Sequence, residues 1–237
     1  EGISRLILID GTTIQAPGAS TSDYRLHLGW NWIDQRVVHS RVTDNRTAES
    51  LKLFDWQPGD MVIADAAYAT AQQLTAAKEK GAQYIVRCAA ANIRLFSKDG
   101  ERIHVATELG RHKGKPVVSI EVRIKADTMI HTAWLHAFRL PEEAAEQVRR
   151  RLHKRSVRKG SKTKAETMCL AEWVLLLTSL EPERMAAENV AGLYRSRWQI
   201  ELVIKRLKSI LKIDALRAKR GSRLAQVYLL GKIVYAL

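Results

Sequence analysis

Four polar side chains near the C-terminal end have types and spacing suited to chemistry on a polyanion. Tyr194, Arg197, Glu201 and Lys208 stand at offsets of 0, 3, 7 and 14. At ~100° per residue of α-helix they project at about 0°, −60°, −20° and −40°, a single stripe about 21 Å long. Leu193, Ile200, Ile204, Leu207 and Leu211 project at about −80° to −140° on the same wheel, so the polar stripe borders the apolar face. A solvated face would lie opposite the core; a row of Tyr, Arg, Glu and Lys at its rim is where an active site would sit. The plainer reading of Arg197 and Glu201 is an i,i+4 ion pair.

Two further acids stand at matching places. Asp10 ends the aliphatic run LILID and Asp65 ends MVIAD. A run that terminates in a lone carboxylate places it at the rim of a sheet. Two neighbouring strands doing so set two carboxylates side by side, and each repels the other unless a cation lies between them. Hard Mg²⁺ prefers such oxygens. Singly, either Asp also reads as a turn residue.

The charge balance names the partner class. Lys plus Arg is 39 against 25 Asp plus Glu, a net charge of +14, which favours a polyanion, most often nucleic acid. Nine of the cations are Arg149, Arg150, Arg151, Lys154, Arg155, Arg158, Lys159, Lys162 and Lys164, with no acid among them. Such a run would grip a phosphate backbone without reading sequence, or be a solvated loop. The longest apolar run, VLLL, is far short of the roughly 20 residues that cross a bilayer. The start has no signal-peptide pattern, and Cys88 and Cys169 alone make neither a disulfide framework nor a zinc site. A reduced, cytoplasmic protein with no membrane partner is expected. The first residue is not Met and the last apolar helical pattern ends without a cap, so the chain is expected to be cut from a longer one.

The elements that must position these residues read as β-β-β-α-β-α-β up to residue 91. LILIDGTTI is a buried strand, and a hairpin follows around Asp34-Gln35. NRTAESLKLF reads as a helix capped by Thr47, MVIAD as a strand, and TAQQLTAAKEKG as a helix closed by Gly81. QYIVRC is the next strand. Residues 92–178 read as a mostly β insertion with a hairpin at Asp99-Gly100, a helix PEEAAEQVRRRLHKR and the basic segment. Residues 179–237 read as helical, continuous from about Ala186 through the polar stripe. The fold class is α/β, a mixed sheet flanked by helices, and the parts are 1–91, 92–178 and 179–237.

A strand-end Asp, a second strand-end Asp after β-β-β-α-β, and a helix-borne Glu resemble the ribonuclease H-like DDE transposases. Tyr194 to Glu201 (YRSRWQIE) followed by Lys208 is similar to the Y-(2)-R-(3)-E-(6)-K signature of bacterial insertion-sequence transposases, with no spacing error. IDGTTI and ADAAY resemble the two Asp motifs of that branch. The second often reads Asp-Arg-Gly-Tyr, where this chain has Asp65-Ala66-Ala67-Tyr68. The resemblance covers nearly the whole chain. It implies Asp10, Asp65 and Glu201 as catalytic metal ligands for two Mg²⁺ ions, with Mn²⁺ as substitute. It implies Tyr194, Arg197 and Lys208 on DNA phosphates, and Trp173, 21 residues before Tyr194, against a flipped base. The implied activity is cut-and-paste DNA transposition, cleavage and strand transfer on transposon-end and target DNA by a homodimer. The alternatives are a ribonuclease H-like nuclease that cuts without joining, and an inactive remnant that only binds DNA.

Overall fold

The computed structural model describes residues 2–15, 19–112, 114–216, 218 and 223–236. Among the described residues one mixed sheet of ten strands organises the fold. Its core half comprises β1 (Arg5–Ile14), β2 (Tyr24–Asn31), β3 (Arg36–Asp44), β4 (Asp60–Ala64) and β5 (Gln83–Arg87). β1, β2 and β3 form an antiparallel meander, turned at Gln35, whose φ is 52°. β4 runs parallel to β1, and β5 parallel to β4 because helix α1 (Ala71–Glu79) carries the chain back between these two. This is the ribonuclease H-like arrangement that the resemblance implies.

Strand alternation covers both faces of this half. Ile7, Ile9, Val62, Ala64, Tyr84 and Val86 face Phe54, Trp56 and α1. Leu6, Leu8, Met61, Ile63 and Ile85 face the opposite way, onto Val190, Ile200 and Ile204. Side chains on a strand alternate with period two. Aliphatic runs buried on both sides are therefore what LILI and MVIA require.

Residues 92–178 extend the same sheet. β6 (Leu95–Phe96), β7 (Arg102–Ile103), β8 (Val117–Ala126), β9 (Met129–Arg139) and β10 (Trp173–Thr178) follow in sequence. The spatial order is β3-β2-β1-β4-β5-β10-β9-β8-β6-β7. The segment also carries α2 (Val105–Gly110), α3 (Glu142–Arg158) and α4 (Ala165–Leu170). Acids begin α3 and bases end it, matching its dipole.

Two expected helices differ. NRTAESLKLF holds only a 3₁₀ turn, Leu51–Leu53, capped by the Ser50 side chain. Thr47 instead donates its N–H and hydroxyl to Asp44 Oδ1, both at 2.7 Å. Asp44 closes a tight turn there, and the residues before Leu51 are drawn out of helical register. The expected continuous helix from Ala186 is broken into α5 (Ala187–Arg195) and α6 (Trp198–Leu211). At the joint Ser196 Oγ donates to Leu193 O at 2.6 Å. The N–H groups of Ser196, Arg197 and Ile200 reach back only three residues. A serine that back-bonds to its own preceding turn bends a helix. A last helix, α7 (Arg223–Ala236), packs Ala225, Leu229 and Ile233 against Ile14 and Leu26. Leu237, expected to end it, lies outside the described residues. Among the described residues no helix is long and apolar enough to cross a membrane.

The register between β1 and β4 is clamped at its start. Arg5 pairs with Asp60 and forks onto it, Nε to Oδ1 at 2.6 Å and Nη2 to Oδ2 at 2.7 Å. The Asp60 side chain is 0% exposed. Asp60→Ala strips Arg5 and the Gln57 N–H of their acceptor, and is expected to destabilise by about 3 kcal/mol, the low end for breaking a buried pair. Urea unfolding measures this; a loss below about 1 kcal/mol would show that the clamp is dispensable.

Candidate active site

The β1–β4 register decides where the two aspartates go. The ladder ends with Leu8 beside Ile63. Two residues further along each strand bring Asp10 beside Asp65, on strands about 4.8 Å apart. Both share the parity of Leu6, Leu8, Met61 and Ile63, the residues facing α5 and α6. Ile200 and Ile204 seat α6 on this face, and Glu201 follows Ile200 at its rim. Asp10 accordingly feels Arg197, Asp65 and Glu201 together. Asp65, Tyr194 and Arg197 line one cleft of about 900 Å³. The structure thus brings both aspartates, Glu201, Arg197 and Tyr194 to one rim. Lys208, seven residues beyond Glu201, lies about 10 Å further along α6.

The broken helix alters the expected stripe. Tyr194 belongs to α5, while Glu201 and Lys208 belong to α6, so a single straight wheel does not describe them. Arg197 caps the joint and its Nη2 donates to Glu201 Oε1. The ion pair is formed.

Electrostatics at the rim favour a cation. The Asp10 carboxyl is pushed above the usual carboxylate range, first by burial and then by Asp65 and Glu201; the Gly11 N–H and Arg197 pull the other way. Gly11 N donates to Asp10 Oδ1 at 2.8 Å, and Ala67 N to Asp65 Oδ1 at 2.8 Å. The donor set is all carboxylate oxygen, which fits a hard divalent ion. Among the described residues no three acids, histidines or cysteines are grouped closely enough to hold a metal, and Glu201 is engaged by Arg197.

Metal-free, the Asp10 carboxylate opposes folding at neutral pH. An acid whose folded pKa is raised favours the folded state below its unfolded value, near 3.8 for Asp10, and loses that advantage as pH rises through the folded value. Asp10→Asn is therefore expected to raise the melting temperature at pH 7 by about 2–4 °C, the shift that accompanies about 1 kcal/mol in a chain this size. At pH 4 the gain should shrink. Thermal unfolding in chelator at both pH values measures it, and a lower melting temperature at pH 7 would contradict the repulsion.

The cleft holds residues that the sequence reading missed. Arg87, at the end of β5, and Arg102, in β7, line it with Arg155 and Lys164. Arg87 also acts electrostatically on Tyr194, whose hydroxyl is pushed up chiefly by burial. Aliphatic strands ending in Arg are a weak signal, and only the fold aligns them. Trp173 forms part of the wall and is 7% exposed, with the Arg139 guanidinium 5.8 Å from its ring centre. The Cys88 thiol beside it is pushed up to about 12 by burial, so it stays protonated and is no nucleophile.

The basic run divides in two. Arg149 pairs with Glu142 and, at 3.3 Å, with Glu172; Arg150 pairs with Glu146 at 2.7 Å. Arg151, Lys154, Arg158, Lys159 and Lys162 are exposed on α3 and the segment after it.

The family model for the transposase DDE domain matches residues 1–237. The chain is 36% identical to the transposase for insertion sequence element IS421 of Escherichia coli over 98% of its own length, and spans 64% of that relative. Identity and coverage are the same for InsL of insertion sequence element IS186A in Escherichia coli strain K12. With the transposase for insertion sequence element IS231C of Bacillus thuringiensis subsp. berliner it shares 22% identity over 97% of its length, and spans 54% of that relative. A match along the whole chain, on a ribonuclease H-like sheet with acids at its rim, makes this chain a member of the transposase DDE domain family.

Proposed function

We propose that this chain carries the catalytic centre of an insertion-sequence transposase, and that it cleaves and joins DNA at the element's ends. The observation that carries the reading is the meeting of Asp10, Asp65 and Glu201 at one rim beside Arg197. Asp10, Asp65 and Glu201 would hold two Mg²⁺ ions, which Mn²⁺ can replace. Such ions supply charge stabilisation to the attacking and leaving oxygens of an in-line displacement. In the first reaction water attacks a phosphodiester and the released strand ends in a 3′-hydroxyl. In the second that hydroxyl attacks another strand, one P–O bond forming as one breaks.

The protein's own residues orient these steps. Arg197 presents a planar fork that suits a phosphate, and Lys208 a point charge further along α6. A phosphate at Arg197 would compete with Glu201 for the guanidinium and release the Glu201 carboxylate toward the cations. Substrate binding would thus assemble the third ligand. Tyr194 keeps its hydroxyl proton and can donate it to a phosphate oxygen. Trp173, with Arg87, Arg102, Arg155 and Lys164 around the cleft, would receive a displaced base and its phosphates. Lys154, Arg158, Lys159 and Lys162 would follow the duplex backbone. Residues 1–91 and 179–237 form the core in this reading, with 92–178 as insertion. The working unit is a homodimer on transposon-end and target DNA, in the cytoplasm.

The test uses the intact protein on DNA carrying its own inverted repeats, with Mg²⁺ or chelator. Metal-dependent cleavage followed by joined product is expected. Cleavage without joining would reduce the reading to a nuclease, and DNA binding without cleavage would reduce it to a binding module.

A further inference from the structure

On the face of the sheet opposite α6, a second group of polar residues backs onto the same rim. Gly11 follows Asp10 and points to that face. A Cβ there would stand 2.6 Å from Glu49 Oε1, 2.9 Å from its Cγ and 3.0 Å from its Cδ. The Glu49 carboxylate therefore fills the space that glycine leaves beside Asp10. Arg25 approaches it from β2, Nη1 to Oε1 at 3.8 Å, and its buried Nε has no hydrogen-bond partner among the described residues. Tyr68, three residues after Asp65, is 0% exposed, and its hydroxyl also has no partner among the described residues.

An orphaned buried hydroxyl is costly. Glu49, Asp10 and Asp65 all act on this one and raise its pKa, after burial. Tyr68 thus stays protonated, a donor set among three acids. Glu49 is pushed above the usual carboxylate range by burial, then by Asp65 and Asp10, and Arg25 opposes this. Glu49 thus sets a third carboxylate against the repelling pair of Asp10 and Asp65, beside an unused donor, where a cation would relieve the repulsion.

We propose that Glu49 and Tyr68 belong to the cation-binding centre as positioning residues, Glu49 reaching a water of the cation past the bare backbone of Gly11 and Tyr68 donating to Glu49. The inference rests on the metal reading of Asp10 and Asp65. It adds a fourth acid, on a segment without regular structure, to the three on the β1, β4 and α6 side. Gly11 then has a defined role: any side chain there would separate Glu49 from the rim.

Mn²⁺ binding to the chain without DNA, followed by loss of the free-ion electron paramagnetic resonance signal, tests this apart from activity. Residues that orient metal ligands from behind are worth about 10–100-fold in affinity. Glu49→Gln should weaken Mn²⁺ binding by that factor. Gly11→Ala should do the same, because its Cβ would displace the Glu49 carboxylate and Cγ. Tyr68→Phe should also weaken Mn²⁺ binding, yet raise the melting temperature of the metal-free protein by removing an unsatisfied hydroxyl. A purely structural Tyr68 would give the reverse, lower stability with unchanged Mn²⁺ affinity. If Asp10→Asn loses Mn²⁺ while Glu49→Gln and Gly11→Ala bind like the parent, the inference fails and the site reading stands. If the parent binds Mn²⁺ only once end DNA is added, the same variants are compared in that complex; if it binds none there either, the metal reading fails and takes the inference with it.

Discussion

Glu201→Gln is expected to reduce Mg²⁺-dependent cleavage of the element's ends by about 10³-fold or more. Metal ions supply several kcal/mol of transition-state charge stabilisation, and each 1.36 kcal/mol is about a factor of ten in rate. The substitution preserves length and helix propensity, and the amide oxygen can still accept from Arg197, so the joint between α5 and α6 should keep its form. Glu201 sits at the rim of α6, with Ile200 and Ile204 doing the packing, so stability should change little. DNA affinity should be equal or slightly higher, since an anion has been removed from a basic surface. Cleavage, strand transfer and binding are measured on one preparation of the intact protein. A variant that binds and cuts like its parent would leave Glu201 as the ion-pair partner of Arg197 and nothing more.

DNA binding should weaken steeply with salt. With six to ten phosphates contacted, affinity should fall about 10³- to 10⁵-fold between 50 and 200 mM salt. The structure sharpens which cations matter. Arg149 and Arg150 are paired with acids, so neutralising them should flatten the salt dependence least. Removing Lys154, Arg158, Lys159 or Lys162 should each lower the slope by about 0.9, for any DNA sequence alike. Filter binding or anisotropy over a salt series measures the slopes. Equal slopes for parent and a variant lacking all four lysines and arginines would remove this segment from the DNA path.

The sequence carried the acid pair well, for a physical reason. Asp10 and Asp65 end aliphatic runs, and these become parallel neighbours because residues 45–59 return the chain from the end of β3 to the start of β4, beside β1. Glu201 was legible because its neighbours Ile200 and Ile204 define an inward face. The joint before it was not. Ser196 is tolerated in a helix, and its bond back to Leu193 exists only once the turn has formed. Glu49 was invisible because it lies where neither period two nor period 3.6 operates, and it meets Asp10 only through the missing side chain of Gly11. The helix expected around it took Thr47 as its cap, and the Asp44–Thr47 turn uses that side chain instead. The partition of the basic run was hidden for a similar reason. Glu172 reaches Arg149 because β10 lies beside β9, a pairing between segments far apart in sequence.

That same placement of β10 governs how the chain comes together in time. β5 pairs with β4 soon after both exist, but its other edge waits for Leu176, Leu177 and Thr178 to meet Arg87, Val86 and Ile85. Residues 88–172 must be made first. At about 5–20 residues per second the nascent chain carries this edge unpaired for several seconds, with Tyr84, Ile85 and Val86, all buried in the finished fold, on the open strand. Closing a long loop costs only slightly more than closing a shorter one, so the finished sheet loses little stability by it. The delay is what matters, because an apolar strand edge is a template for any other chain. Capture by the molecule's own β10 is first order and pairing with a neighbour is second order in concentration. Several ribosomes translating one message are therefore the setting in which the wrong partner competes best.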